Sequence, residues 1–354
     1  MGNPEQSPRG FFIVNKIILH CPSLVTVLNT IELAREKTMR KKQPSISKHK
    51  LTGLRQQLPL FRQALKDPVA NEDFDGYLSF YQLPTNSDDT KLFAGTTEDK
   101  QTVVMSWQPK SSRGNVLVVH GYMDHTGLYG HLIRHLLSRQ YRVICLDLKG
   151  HGLSAGMPFS IDYFDEYVSQ IEEVLTVCKD SFDGSIHGIG QSMGGAILMQ
   201  HNMHHGHMHD YGFQSLTLLA PLLRPFGWQK SRWIYYFSRH FTTTIKRAFR
   251  PSSWDQQFLD FLRYQDPLQP IRVPVDWIGA MDRWIKTFEQ SAVNDFPIHI
   301  IQGDQDKTLD WRDNLEKFAQ KYSAITATVI PEANHHLVNE KASLREVIFA
   351  SIKL

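Results

Sequence analysis

Ile186-His187-Gly188-Ile189-Gly190-Gln191-Ser192-Met193-Gly194-Gly195-Ala196-Ile197-Leu198-Met199 is the stretch whose reading decides the fold. A short apolar run, Ile186–Ile189, leads directly into Gly-x-Ser-x-Gly, and a helical stretch, Gly195–His201, follows it. A strand that turns sharply into a helix holds its corner residue in a strained backbone. The residues two before and two after must then be small, or their side chains collide across the turn. Ser192 is that corner residue, and its hydroxyl stands clear of the sheet at the positive end of the next helix. Such a position suits a nucleophile.

Outward from this corner the same alternation continues. Val116–Val119, Tyr141–Leu146, Leu216–Leu219, Ile298–Ile301 and Ala327–Ile330 have the length and apolarity of buried strands. Helical patterns lie at Leu132–Leu137 and Tyr163–Cys178. Strands apolar throughout and separated by helices predict a mostly parallel sheet covered on both faces, an α/β fold. The alternation stops between Leu222 and Phe296. About seventy residues without a strand is too long for a connection in a compact domain, so this segment reads as an inserted helical lid. The expected organisation is a basic extension (1–70), a first core part (71–221), the lid (222–295) and a second core part (296–354).

A serine nucleophile requires a base, an acid to orient that base, and donors for the oxyanion. The strand–corner–helix context predicts the chain order serine, acid, histidine. Gln302-Gly303-Asp304-Gln305-Asp306 follows the penultimate strand run, and Pro331-Glu332-Ala333-Asn334-His335-His336 follows the last. Asp306 is the expected acid and His335 the expected base, with Asp304 and His336 as rivals that spacing alone does not separate. Val119-His120-Gly121-Tyr122 leaves an earlier strand, and the Tyr122 amide is placed to share the oxyanion with the Met193 amide.

Four segments together resemble a known family. His120-Gly121-Tyr122-Met123-Asp124-His125-Thr126-Gly127-Leu128-Tyr129 resembles His-Gly-x-x-(Glu/Asp)-His-x-x-x-Tyr, and Asp147-Leu148-Lys149-Gly150-His151-Gly152-Leu153-Ser154 is similar to Asp-x-x-Gly-His-Gly-x-Ser. Ser192-Met193-Gly194-Gly195 and Ala333-Asn334-His335 fit the same pattern. The family is the monoacylglycerol lipase and bacterial lysophospholipase group of α/β-hydrolases. The resemblance implies an α/β-hydrolase fold with a helical cap, a triad of Ser192, Asp306 and His335, and Tyr122 and Met193 as oxyanion donors. Asp266-Pro267, followed by the Trp277 region, resembles the lysophospholipase branch in particular. Gln191 stands where the lipase branch often has histidine.

Composition sets the outer limits. A chain of 354 residues, 41% hydrophobic and 21% charged, is neither disordered nor collagen-like. No apolar run reaches 18 residues, so a spanning helix is not expected. Cys21, Cys145 and Cys178 form neither a disulfide framework nor a zinc site, which points to a reducing, cytoplasmic setting. Residues 1–66 hold 12 Lys/Arg and 3 Asp/Glu, a local +9 that leaves −6 for the rest of a chain of net +3. Leu24, Val27, Leu28 and Ile31 lie at helical spacing just before the basic run Arg35–Lys42. An amphipathic helix there would lie on an anionic membrane or pack on the body.

The lid segment carries five of the seven tryptophans, Trp228, Trp233, Trp254, Trp277 and Trp284, and residues 211–254 contain seven Lys/Arg but no Asp or Glu. Aromatic and basic residues so interleaved suit a lipid interface, with Trp233, Tyr236 and Phe237 as candidate acyl-chain contacts. No nucleic-acid-binding module accompanies them. His201, His204, His205, His207 and His209 have spacings that would admit a transition metal, but Asp210 is the only carboxylate near them in sequence. Neither a metal nor an organic cofactor is expected. The reading is therefore a serine esterase acting on single-chain lipids, cytoplasmic and peripheral to the inner membrane face. A short-chain esterase, thioesterase or serine peptidase is the alternative on the same fold. An idle membrane-binding protein is the alternative from another class.

Overall fold

The computed structural model describes residues 46–69, 71–205 and 212–354. The expected N-terminal amphipathic helix, His207, His209 and Asp210 lie outside the described residues. Helix α1 (Lys48–Gln57) is capped by Ser47, whose Oγ accepts from the Lys50 amide. Its Leu51 and Leu54 are buried, as are Leu58 and Phe61 beyond it. Residues 46–69 thus belong to the compact unit that runs from Ile46 to Leu354, whereas the sequence had assigned them to a basic extension. The short helix α2 (Phe61–Ala64) and α3 (Glu72–Phe80) lead into the sheet.

Eight strands form that sheet: β1 (Thr90–Thr96), β2 (Val103–Pro109), β3 (Asn115–Val119), β4 (Arg142–Asp147), β5 (Ile186–Gln191), β6 (Ser215–Leu219), and, beyond a smaller ribbon, β9 (Ile298–Gly303) and β10 (Ile325–Ile330). Their spatial order is β1-β2-β4-β3-β5-β6-β9-β10. Only the β1–β2 and β2–β4 pairs are antiparallel. Helix α4 (Gly130–Ser138) connects β3 to β4, and α5 (Asp165–Ser181) crosses back to β5, so β3 and β5 are parallel neighbours. At such a reversal of strand order the strand ends open a crevice for a ligand.

Burial explains why the strands are uniformly apolar. In β3, Leu117 and Val119 belong to the core that includes α5 residues, and Val116 and Val118 to the one that includes α4 residues. Both faces are covered, so alternation disappears. The antiparallel pair β1–β2 escaped the sequence reading because Thr96, Thr102 and Ser106 are buried polar residues that break its apolar runs.

The inserted segment is mainly helical, comprising α7 (Trp228–Ser238), α8 (Gln256–Tyr264) and α9 (Asp276–Gln290), with α6 (Met193–His205) preceding it in the core. It also holds a two-stranded antiparallel ribbon, β7 (Thr244–Lys246) with β8 (Arg272–Pro274), that the sequence did not announce. In α9, Trp277, Ala280, Met281, Trp284, Ile285 and Phe288 recur at helical spacing, are all buried, and join the core on one sheet face. Helices α10 (Trp311–Lys321) and α11 (Ala342–Ala350) complete the chain. Among the described residues no helix is long and apolar enough to cross a membrane.

Candidate active site

Ser192 lies between β5 and α6 with a φ of 52°. A side chain at Gly190 would meet the Gly194 backbone at 2.5 Å, and one at Gly194 would lie 2.1 Å from the Val119 carbonyl oxygen. No residue larger than glycine fits either place, which is the steric reason for the Gly-x-Ser-x-Gly pattern. The corner is held by the Ser192 amide donating to Leu219 O (2.8 Å) and by Leu222 N donating to Ser192 O (2.9 Å).

The two expected partners converge on it from neighbouring strand ends. His335 Nε2 is 2.9 Å from Ser192 Oγ, and His335 Nδ1 is 2.8 Å from Asp306 Oδ2. Asp306 also accepts from the amides of Thr308 (2.8 Å) and Leu309 (3.0 Å) and from Gln302 Nε2 (3.0 Å). Burial opposes its charge, but the facing imidazole and these donors outweigh burial and hold its carboxyl below the ordinary value. An ionised Asp306 fixes the tautomer: Nδ1 carries the proton, and Nε2 is left to accept from the serine hydroxyl.

The rivals have other partners. Asp304 Oδ1 accepts from the Glu332 amide (2.8 Å) and bridges the two loops. His336 Nε2 lies 3.2 Å from Asp124, whose other oxygen accepts from Tyr129 Oη (2.9 Å), and Tyr129 Oη in turn accepts from the Gly121 amide (3.0 Å). Burial works against the Asp124 carboxylate, yet His336 beside it leaves its carboxyl far below the usual range. This chain of groups steadies the segment that carries Tyr122. Neither the Tyr122 nor the Met193 amide donates to a backbone group among the described residues outside helices and strands, and Met193 N is the first amide of α6.

The motifs around the loop interlock. His120 donates from Nδ1 to Gly121 O (2.8 Å) and accepts at Nε2 from Leu148 N (2.9 Å), an arrangement that needs the neutral ring; burial lowers its pKa. The carboxylate of Asp147 accepts from the amides of Thr126 (2.7 Å) and Leu153 (2.8 Å). Gln191 Nε2 donates to His335 O (2.9 Å) and ties the serine corner to the loop that carries His335. Buried Glu340 accepts from Asn334 N (2.7 Å) and Trp254 N (3.0 Å) and supports that loop from below. No spacing in the sequence pairs these residues.

Asp266 anchors the cap. Its Oδ2 is 3.0 Å from His125 Nε2, Oδ1 accepts from Tyr81 Oη (2.7 Å) and Leu268 N (3.0 Å), and Gln269 Nε2 donates to Oδ2 (2.9 Å) and to Met123 O (3.0 Å). Burial disfavours both charges. The mutual attraction prevails, lowering Asp266 below its ordinary 3.8 and raising His125 above its ordinary 6.5. The aspartate's contribution to stability is present above 3.8 and is lost as pH falls through its lowered pKa. The histidine's is present below 6.5 and fades as pH rises through its raised pKa. Asp266→Ala is expected to cost about 3–5 kcal/mol near pH 5–6, read by urea unfolding. A loss under 1 kcal/mol would show that the pair does not hold the cap.

Two of the three expected acyl-chain residues, Trp233 and Phe237, face outward. In α7, Trp228 and Tyr235 face inward, which turns Trp233 and Phe237 to the opposite side, where they are 66% and 69% exposed and stack on each other. Tyr236 Oη donates to Asp282 Oδ2 (3.0 Å) within the cap. Trp277 of the cap stacks on Tyr122, with 3.7 Å between ring centroids and 17° between planes. Two lid arginines are also matched by carboxylates: Arg224 by Glu289 and Asp313, Arg232 by Asp282.

A mostly parallel eight-stranded sheet with its serine corner after β5 and its other polar groups at the C-terminal strand ends is the architecture of the α/β-hydrolases. Residues 110–342 match the family described as serine aminopeptidase, S33, and the chain belongs to that family. Among curated relatives, an abhydrolase domain-containing protein of Dictyostelium discoideum is 25% identical over 131 residues, 36% of this chain and 13% of that protein. The monoacylglycerol lipase of Mycolicibacterium smegmatis is 30% identical over 94 residues, 26% of this chain and 34% of its own. The mouse monoglyceride lipase is 34% identical over 93 residues, 26% and 31% of the two chains. The matches thus span about a third or less of these relatives. Among solved structures, a soluble variant of the Saccharomyces cerevisiae monoglyceride lipase in complex with a substrate analog superposes with a TM-score of 0.60 at 19% identity, covering 75% of this chain and 91% of that one. The Paleococcus ferrophilus monoacylglycerol lipase gives 0.59 at 18%, covering 71% and 96%. At these identities the likeness is one of fold.

Proposed function

We propose that this protein is a serine esterase that hydrolyses the acyl ester of single-chain lipids, lysophospholipids or monoacylglycerols, through an acyl-enzyme. The observation that carries the reading is the hydrogen-bonded series Ser192–His335–Asp306 beneath a cap whose outer face is apolar and basic. Ser192 Oγ attacks the ester carbonyl while His335 Nε2 takes its proton. The amides of Tyr122 and Met193 receive the oxyanion, and Asp306 stabilises the imidazolium. As the tetrahedral adduct collapses, His335 returns the proton to the glycerol oxygen. Water then attacks the acyl-enzyme with the same base and frees the fatty acid. No metal or organic cofactor takes part.

The lipid part of the reading rests on the cap. Phe226, Trp233, Ile234, Phe237, Phe241 and Ile271 are exposed, and Lys230, Arg239 and Lys246 are interspersed in the same segment. Such a surface suits insertion into a monolayer of anionic lipid. Trp233 and Phe237 are thereby assigned to the membrane and Trp277 to the substrate. The names of the mouse and mycobacterial relatives support the substrate class.

Three measurements test this. A fluorophosphonate probe should label Ser192, and kcat/KM on nitrophenyl esters should rise with acyl length, with mass spectrometry of mixed lysophospholipids and monoacylglycerols naming the head group. A preference for acetate esters or for aminoacyl amides would replace the lipid reading with a short-chain esterase or peptidase. Separately, the double variant Trp233→Ser/Phe237→Ser is expected to lower turnover of vesicle-borne lipid by about tenfold or more, since each buried aromatic contributes roughly 1.5–3 kcal/mol. Its kcat/KM on dissolved nitrophenyl butyrate should stay unchanged. An equal loss on both substrates would mean that these side chains hold the cap together.

A further inference from the structure

Helix α6 starts at the nucleophile corner and ends at His205. On its last turns His201 and His205 stand at i and i+4, and α5 brings Glu172 against them. Glu172 Oε1 is 2.6 Å from His205 Nε2, and the two imidazole centroids are 4.7 Å apart. One ligand atom from each of the three residues lies within 4.8 Å of the others. His201 is 2% exposed, and among the described residues neither of its ring nitrogens has a hydrogen-bond partner. A buried imidazole unsatisfied at both nitrogens costs stability unless something else coordinates it. The sequence offered only Asp210 as a carboxylate for this cluster, and the fold supplies Glu172 instead.

We propose that Glu172, His201 and His205 form a binding site for a divalent transition metal, with Zn²⁺ the ion that two imidazoles and one carboxylate fit best. Tetrahedral Zn²⁺ with ligands at about 2.0–2.2 Å sets them about 3.4 Å apart, with water in the fourth place. The three ligand atoms, now within 4.8 Å of one another, have to close by side-chain rotation to reach that spacing. The Glu172–His205 hydrogen bond opens as the imidazole proton leaves to solvent and the ion takes its position. The carbonyl end of α6 adds a favourable dipole for a cation. His204 is not part of the set, being paired with Asp165 at 3.4 Å. The ion would fasten α5 to the helix that carries the nucleophile corner, a structural task far from the ester.

The test uses tag-free full-length protein, Zn²⁺ titrated against a chromogenic chelator, and thermal unfolding with and without Zn²⁺. One tight equivalent is expected. At free Zn²⁺ a hundredfold above Kd, the folding equilibrium should move about a hundredfold, raising Tm by on the order of 5 °C. Glu172→Gln and His205→Ala should weaken binding at least tenfold and abolish the Zn²⁺-dependent rise. His201→Leu should abolish it too while leaving the metal-free Tm equal or higher, because it removes an unsatisfied buried polar group. His204→Ala and the double variant His207→Ala/His209→Ala should bind as the parent does. Wild-type binding by Glu172→Gln and His201→Leu, loss confined to the His207/His209 variant, or no tight equivalent in the parent would each overturn the proposal.

Discussion

Ser192→Ala is expected to lower kcat by on the order of 10⁶, leaving the small acceleration that substrate binding and the oxyanion amides supply without a nucleophile. The variant should fold as the parent does. With φ at 52°, serine and alanine suffer the same backbone strain, so Tm should barely move. Ser192→Gly, equally inactive, should be more stable, because glycine accepts that conformation without penalty. The pair separates chemistry from folding: both lose turnover and fluorophosphonate labelling, and they differ only in Tm. Turnover within tenfold of the parent in either variant would end the serine-hydrolase reading.

His335→Ala is expected to cost a comparable factor, and the neighbouring His336→Ala far less, since His336 acts through Asp124 on the loop that carries Tyr122. In the proposed mechanism His335 works as the neutral imidazole. Burial pulls its pKa down, but the Asp306 carboxylate more than compensates and holds it above 6.5. The acidic limb of kcat/KM on a soluble ester should therefore fall with decreasing pH at a midpoint above 6.5. Asp306→Asn removes the opposing carboxylate and favours the wrong tautomer. The limb should move to lower pH while kcat drops by on the order of 10⁴. A limb that stays in place in Asp306→Asn would assign the titration to a different group.

The serine corner was legible because part of its constraint is local, Gly190 having no room against the Gly194 backbone, while the need for glycine at 194 comes from Val119 on the neighbouring strand. The parallel strands were legible because residues such as Val116–Val119 are buried on both sides and leave an unbroken apolar run. Asp306 and Asp304 were harder to separate, since they stand two residues apart on one loop and only the backbone path aims one at His335 and the other at the Glu332 amide. The long-range pairs were invisible. Asp124 with His336 and His125 with Asp266 join residues more than a hundred positions apart, and no periodicity connects them. The facing of α7 was likewise undetermined, because Trp228, Trp233, Tyr235 and Phe237 supply aromatic residues on more than one side and either face would have served.

The Asp266 anchor implies an uneven mobility across the cap. The turn at residues 266–269 is held to Tyr81, His125 and Met123 by an ion pair and several hydrogen bonds, while α7 presents an open aromatic face to its surroundings. Because α7 is also tied to the core at its start, through Phe226 N on Thr308 O and the buried Trp228, such a cover yields along the outer side of α7 and does not lift as a detachable plate. Amide hydrogen exchange should register this as a gradient, slow at Leu268, whose amide bonds to Asp266, and fast along Trp233–Phe237. On the proposed lipid reading, the acyl chain would enter from the α7 side, tail first from a membrane on which that helix would rest. The ester would reach Ser192 with its head group still toward the opening, so product release would begin with the alcohol and leave the fatty acid to return to the lipid from which it came.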